Sequence, residues 1–248
     1  MGPILLCAGV VFVLIGVAMV VSQGGSRQTA ADEAPRPRSA SGQRQRRDSP
    51  PDLAPITFTR QADSMQAQFF HAKLGQSITF NHPERGGVTG QILGTIEYAE
   101  LWQRRKAPSE PWTPTGNSFA AHWLGSQLLY EWQGRLYVLD EYQPLSDAEV
   151  QQSFLPYAKR FAQSNQTAQV SFAWPPASWT IADIGKFRVT RAEGQGLRLN
   201  AGAEGRFIHC KGADRRALVV EDYQAGQGGQ DTAWIGYTLN WEDIQKIG

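Results

Sequence analysis

Cysteine is almost absent from this chain, whose 248 residues include two, Cys7 and Cys210. One lies in an apolar N-terminal run and the other in the distal part of the chain, so a disulfide framework is excluded. Histidine is also rare, and no pair of histidines has the spacing of a zinc site. The four histidines are scattered, at His71, His82, His122 and His209. We therefore predict no disulfide, no metal and no cofactor.

An excess of charge of one sign is also lacking. The chain carries 24 basic and 23 acidic side chains, a net charge of +1. Six Arg and four acids precede residue 56, which leaves 18 basic against 19 acidic side chains in the remainder. Nucleic-acid-binding domains show a strong basic footprint. The near-neutral remainder predicts a protein that does not bind nucleic acid.

Recognisable catalytic motifs are missing as well. Gly194-Gln195-Gly196 has no following helix pattern, so it does not form a phosphate-binding loop. His209 and Cys210 are adjacent, and neighbouring residues on a strand point to opposite faces. The acid pairs Asp140-Glu141 and Glu221-Asp222 are typical of solvated strand ends, although general acid–base chemistry also uses such residues. We predict no catalytic residue.

The chain does contain an unbroken apolar run, Ile4–Val21, of 18 residues. As a helix this run spans roughly 27 Å, close to the thickness of a hydrocarbon core. A cleaved signal peptide would need a basic segment before the run, and Met1-Gly2-Pro3 has none. A lipoprotein would use Cys7, which lies too early and follows Leu6. The sequence predicts a retained transmembrane anchor over residues 1–21.

Charge and glycine spacing extend this prediction. All six arginines before residue 56 follow the apolar run, and this asymmetry favours a cytoplasmic C-terminal side in a single-pass protein of the cell membrane. Gly9 and Gly16 are seven residues apart, so they share one stripe on a helix. Small residues allow membrane helices to approach closely. Both glycines are predicted helix-packing positions, against the alternative that glycine is merely common in such helices.

Residues 22–55 are rich in Ser, Gly, Gln, Arg and Pro, with Leu53 their one large aliphatic side chain. Such a segment buries too little apolar surface to offset the entropy of its chain. We predict a disordered linker.

Residues 56–248 contain all eight Trp and all seven Tyr. Short alternating runs separated by turn residues predict a mainly β fold with one or two short helices. A helix is expected from Asp63, and a second after the capping box Ser146–Glu149, interrupted by Pro156. Nine runs predict strands: Ser77–Asn81, Gly90–Leu101, Phe119–Trp132, Arg135–Asp140, Lys186–Ala192, Leu197–Asn200, Gly205–Cys210, Ala217–Tyr223 and Thr232–Leu239.

A short internal match suggests two similar sheet halves. Arg135–Gln143 aligns without gaps to Arg216–Gln224, and both segments carry two acids followed by Tyr-Gln. The two halves would be residues 56–145 and 168–248.

Several short segments carry a resemblance to a known family. They are Leu74-Gly75-Gln76, Gly94-Thr95-Ile96-Glu97-Tyr98, His122-Trp123-Leu124, Gly134-Arg135-Leu136-Tyr137-Val138-Leu139, Arg191-Ala192-Glu193-Gly194 and Trp234-Ile235-Gly236-Tyr237. Over about residues 74–248 the chain resembles a bacterial family known as domain of unknown function 4178. The resemblance implies a β-rich, non-enzymatic module in a membrane-associated assembly, and it supplies no catalytic residues. The Pro-rich loop around Trp112 departs from the strand that the family pattern has there.

The layout predicts a membrane-tethered binding or assembly module. It would contact membrane lipid through the N-terminal helix. It would also bind a protein partner, for which another membrane protein is one candidate. Two alternatives are an enzyme whose site residues are dispersed in sequence and an extracytoplasmic structural protein of the cell envelope.

Overall fold

Most of the described part of the chain forms β-strands, as its short runs of apolar, β-branched and aromatic residues predict. The structure is a computed structural model that describes residues 57–103, 109–196, 199–223 and 229–248. The predicted mainly β fold with few short helices is confirmed. The strands are β1 (Ser77–His82), β2 (Gly86–Gln91), β3 (Gly94–Trp102), β4 (Thr113–Trp123), β5 (Leu128–Trp132), β6 (Arg135–Pro144), β7 (Ser171–Trp174), β8 (Ala177–Gly194), β9 (Glu204–Lys211), β10 (Arg216–Tyr223), β11 (Thr232–Leu239) and β12 (Ile244–Ile247). The helices are α1 (Met65–Phe70), α2 (Asp147–Ser153), α3 (Leu155–Gln163) and a 3-10 turn at Trp241–Asp243.

Eight of these strands close into an antiparallel barrel. Their order is β3-β4-β5-β6-β11-β10-β9-β8, and β3 pairs with β8 to complete the circle. Tyr98 on β3 shows the closure, because it lies opposite Phe119 on one side and Val189 on the other. Closing a sheet removes the exposed edges that invite aggregation. β7 extends the sheet from β8.

The barrel consists of two four-stranded meanders, β3–β6 and β8–β11, joined by the pairs β6–β11 and β3–β8. One meander falls within residues 56–145 and the other within 168–248, and both contribute to one barrel. The nine-residue match aligns different positions of the two meanders. Arg135–Gln143 lies in β6, the fourth strand of the first meander, and Arg216–Tyr223 is β10, the third strand of the second.

Aromatic rings fill the inside of the barrel. The ring centroids of Trp132 lie 4.5 Å from those of Phe119 and 4.3 Å from those of Phe207, and Tyr98 lies 5.2 Å from Phe187. All five side chains are at most 1% exposed. Tilted and edge-to-face pairs at such distances stabilise beyond the area that they bury. Much of the aromatic content therefore serves the barrel core.

A second layer covers the outside of β4, β5, β6 and β11. The sheet β12-β1-β2 and helix α1 pack there through Phe69, Ile78 and Phe80. Ser64 caps α1 by accepting the Ala67 N–H, close to the predicted start of this helix.

The segment before α1 is fixed to the barrel by Arg60. Its Nη2 donates to Glu131 Oε2 and to the Ser118 carbonyl oxygen, both at 2.6 Å. The guanidinium also lies 4.2 Å from the ring centroid of Phe70. Glu131 is fully buried, and this burial raises the pKa of its carboxyl to about 7, against the lowering effect of Arg60. Removing one partner of such a pair leaves the other charge buried and unpaired.

Helices α2 and α3 pack outside β8, β9, β10 and β11 through Phe154, Phe161 and Val150. The predicted capping box at Ser146 and Glu149 is present. The predicted interruption is also present, because α2 ends before Phe154 and Pro156 lies in the first turn of α3.

Several predicted strands were wrong in their extent. Phe119–Trp132 is two strands, because Gly125, with φ of 92°, turns the chain between β4 and β5. The Pro-rich loop expected around Trp112 is shorter than predicted, because β4 already begins at Thr113. Leu199 and Asn200 are not in a strand, whereas β2, β7 and the first part of β8 went unrecognised.

The predicted anchor and linker, with Gly9 and Gly16, lie outside the described residues. Among the residues from 57 onward that the structure describes, no helix is long and apolar enough to cross a membrane.

Candidate functional site

A hydrogen-bonded carboxyl group lies inside the barrel. Glu221 on β10 faces inward with Val219 and Tyr223, since these residues alternate along the strand. Tyr98 Oη donates to Glu221 Oε1 at 3.3 Å, and Tyr223 Oη donates to Glu221 Oε2 at 3.2 Å. Burial raises the pKa of Glu221 to about 7, although the two tyrosine hydrogen bonds lower it. The prediction of a solvated strand end was therefore wrong for Glu221, and Asp222 beside it is also buried.

His209 on β9 is the second ionisable group in the interior. Its Nε2 lies 3.0 Å from Tyr130 Oη, and its ring stacks on Phe207 at 4.5 Å. Its Nδ1 is buried and has no hydrogen-bond partner among the described residues. Burial lowers the pKa of His209 to about 3, so the ring is neutral at physiological pH.

Asp183 on β8 lies directly opposite His209 in the strand register. Its Oδ2 is another buried atom without a partner in the described part of the chain. Burial raises the pKa of this carboxyl to about 6, and the charge of Arg135 opposes the rise. Arg135 begins β6 at the same end of the barrel, so a cation at the rim acts on an acid just inside it.

An open cleft of about 560 Å³ lies at this end of the barrel. Its cations are Arg135 and Lys211, and its floor includes the apolar side chains of Phe161 and Ile181. Thr180, directly opposite Lys211 in the register of β8 and β9, adds a hydroxyl group. No Asp or Glu is among the described residues that line the cleft. We call this region the cationic cleft.

A smaller cleft, of about 210 Å³, lies toward the opposite end, where β10 ends and α2 begins. Three carboxyl groups converge there, from Asp147, Asp222 and Asp231, beside one guanidinium, Arg206. Arg206 Nη2 lies 2.5 Å from Asp222 Oδ2. Burial and the neighbouring carboxylates raise the pKa of Asp231 to about 6. We call this region the acidic cleft.

The remaining histidines hold structural positions. His122 Nε2 donates to the Phe69 carbonyl oxygen at 2.8 Å, and its Nδ1 lies 3.2 Å from Thr95 Oγ1. Burial lowers the pKa of His122 to about 4. His82 Nδ1 accepts from the backbone N–H of Glu84, and His71 is exposed. The four histidines are not brought together.

Asp140 also differs from the prediction of a solvated strand end. His82 Nε2 lies 2.9 Å from Asp140 Oδ2, while Gln127 and Arg85 donate to Oδ1. The carboxylate joins the three-stranded sheet to the barrel. A His–Asp pair alone does not make a catalytic site, because a triad also needs a nucleophile within reach, and the structure places no Ser or Cys hydroxyl or thiol among the contacts described for His82. Glu141 is exposed, as predicted.

His209 and Cys210 point to opposite faces, as predicted: His209 faces the barrel core and Cys210 contributes to the cluster under the helices. Burial raises the pKa of the Cys210 thiol well above its usual range. Among the described residues, no group of three or more His, Cys, Asp or Glu side chains is arranged to hold a metal ion.

Sequence reasoning missed the residues that make these clefts. Arg135 is the first residue of β6 and Lys211 is the last residue of β9, and neither belongs to a recognisable sequence motif. The inward position of Glu221 had a signal, because Ala217, Val219 and Tyr223 share its parity along the strand.

Comparisons with protein-family models, with curated proteins and with solved structures gave no match for this chain. The resemblance to domain of unknown function 4178 stays a prediction.

Proposed function

We propose that this protein is a non-enzymatic binding module, held to the cell membrane by one N-terminal helix over residues 1–21, with the barrel on the cytoplasmic side. Support for the tether is the apolar run Ile4–Val21 with arginines on its C-terminal side. Binding is the part of the proposal that the geometry of the barrel supports.

One observation carries the proposal: the carboxyl group of Glu221 and the imidazole of His209, whose pKa values are strongly shifted, are enclosed, while the open cleft is lined by charged and polar side chains. Glu221 and His209 lie within a layer of packed aromatic rings. A catalytic acid or base has to reach the proton that it transfers. The cationic cleft instead offers charges, hydroxyl and amide groups, and an apolar floor, the mixture typical of ligand sites.

The family resemblance and the predicted membrane tether support a role in which the barrel binds a partner within a membrane-associated assembly. A tether of residues 22–55 would keep the barrel close to the membrane while it reaches a partner. The partner would be another membrane-associated protein or a ligand presented at the membrane surface.

Site-specific photo-crosslinking in membranes tests binding at the cationic cleft. A photoreactive amino acid replaces Gln169, an exposed residue that lines this cleft, in the full-length chain. The matched control places it at Gln152, which is exposed on α2 away from the cleft. We expect one defined adduct from position 169 and none from position 152. Equal labelling at both positions, or no adduct at 169, contradicts the proposal.

A further inference from the structure

The cationic cleft is chemically one-sided. Lys211 and Arg135 lie at the ends of β9 and β6, and the described residues that line the cleft include no acid. Gln166 and Gln169 add amide groups, and Thr180 adds a hydroxyl. These groups supply positive charge and hydrogen-bond donors to the same open space.

Among the residues that the structure describes, no carboxylate forms an ion pair with either cation. Many exposed arginines of this protein form such pairs: Arg188 with Glu204 at 2.6 Å, and Arg215 with Asp243 at 2.7 Å. Within the described residues, Lys211 and Arg135 have no carboxylate within ion-pair distance. Two cations held at one rim without a carboxylate in contact, as far as the described residues go, attract an anion.

The groups around Arg135 limit how much of its charge is available. The charge of Arg135 opposes the burial-driven rise in the pKa of Tyr137 and of Asp183, which lies just inside the rim. It also acts on His209, which is uncharged. Two cations line the cleft and one carboxyl group lies just inside it, so the cleft stays net positive.

The floor adds an apolar requirement. Phe161, Ile181 and Cys210 lie under the cleft and are at most 4% exposed, whereas Ala168 and Ala182 line it with more open apolar surface. A bare inorganic anion would leave this surface uncovered, whereas an anion attached to an aromatic or aliphatic group would cover it.

We propose that the cationic cleft is a binding site for an organic phosphate, with the phosphate on Lys211 and Arg135 and an apolar group against Ala168 and Ala182. This inference rests on the proposed function and names its ligand class. The phosphate comes from a soluble metabolite or from an anionic phospholipid headgroup, because both present the same chemistry to the two cations.

Calorimetric titration of the full-length protein in phosphatidylcholine nanodiscs tests the site. The probes are phenyl phosphate, inorganic phosphate and the neutral benzyl alcohol. We expect phenyl phosphate to bind more tightly than inorganic phosphate, and benzyl alcohol to give no signal. High salt should weaken binding, since the contact is electrostatic.

Charge-reversal variants assign the binding to the cleft. Lys211→Glu and Arg135→Glu should each weaken phenyl phosphate binding by about tenfold or more. Lys246→Glu is the matched control, because Lys246 is exposed on β12, outside the cleft, and the change in net charge is the same. Unchanged melting temperatures show that the variants fold.

Repeating the titration in nanodiscs that contain phosphatidylglycerol identifies the source of the phosphate. Weaker apparent binding of phenyl phosphate there indicates competition by lipid headgroups, and unchanged binding indicates a soluble ligand; both support the site. Absence of phenyl phosphate binding, or equal loss in Lys211→Glu and Lys246→Glu, overturns it. Photo-crosslinking at position 169 would then still report whether the cleft binds another partner.

Discussion

The two ends of the barrel carry opposite charge on the same strands. Arg135 and Lys211 line one end without an acid, whereas Asp147, Asp222 and Asp231 surround Arg206 at the other. β9 and β10 run between the two clefts, and their successive residues alternate between the barrel core and the cluster under the helices. The core therefore does not determine the chemistry of the rims. That chemistry comes from strand ends and helix starts, where a change of residue leaves the barrel packing intact.

The largest expected loss of stability comes from a substitution in the aromatic core, which lies between the two ends of the barrel. Trp132→Ala should lower the free energy of unfolding by about 3–5 kcal/mol, because it leaves a cavity among Phe119, Phe207 and Tyr98. Chemical denaturation monitored by circular dichroism measures this loss. Both clefts should be lost together, so a variant that melts in two separate steps would contradict a single shared core.

The second largest effect on stability should come from Arg60, which fixes the segment before α1 to the barrel near its cationic end. Arg60→Met should cost about 3–5 kcal/mol at pH 8, because Glu131 would lose its partner and would have to stay charged in the interior or take up a proton there. The double variant Arg60→Met with Glu131→Leu should recover most of this loss. Thermal and denaturant unfolding of both variants decide the point. If the single and double variants were equally destabilised, packing of Arg60 rather than charge would be responsible.

The stability of the fold should depend on pH, because an ionisable carboxyl group, that of Glu221, is buried inside the barrel. The pKa of Glu221 is raised to about 7, above its ordinary 4.5, so the folded protein binds this proton more tightly than the unfolded chain. Its contribution to stability is complete below pH 4.5 and is lost as the pH rises through 7. Glu221→Gln should remove up to about 3 kcal/mol of this dependence.

Denaturation midpoints of both proteins between pH 4.5 and 8 provide the measurement. The pKa of His209 is lowered to about 3, so its contribution has the opposite sign and is lost as the pH falls below 6.5. Comparing Glu221→Gln with the unmodified protein cancels this term. Parallel pH curves for the two proteins would refute the assignment to Glu221.

The smallest expected effect sharpens the description of the acidic end. Asp147→Asn removes a carboxylate that raises the pKa of Asp231. The pKa of Asp231 should fall from about 6 toward its ordinary value, a shift that NMR titration of the side-chain carboxyl measures. Asp243, which pairs with Arg215 elsewhere, serves as an internal control and should not change. An unmoved pKa of Asp231 would mean that burial and Asp222 raise it without a contribution from Asp147.

How much the sequence could predict depended on the range of the interactions. β10 and β11 were predicted almost to the residue, because a short run of apolar, β-branched and aromatic residues bounded by turn residues is a local signal. The turn at Gly125 was missed because apolar residues continue on both sides of it. Glu221 was assigned to solvent because it follows a buried run, although its parity with Val219 placed it inside. The paired acids outweighed that signal.

The clefts could not be predicted in the same way. Arg135 and Lys211 are 76 positions apart in the chain, and they meet at one rim because β6, β11, β10 and β9 are neighbours in the barrel. That order depends on the pairings β3–β8 and β6–β11 across the whole domain. No residue near either cation in the sequence specifies these pairings.

The central claim is that this barrel binds ligand at its cationic end. Backbone amide NMR spectra of the full-length protein in nanodiscs, recorded during titration with phenyl phosphate, test it most directly. The account predicts shifts concentrated at Thr180, Lys211 and Thr238, with Gln151 and Asp231 at the acidic cleft unchanged. Shifts concentrated at the acidic cleft, or spread evenly over the barrel, would contradict it.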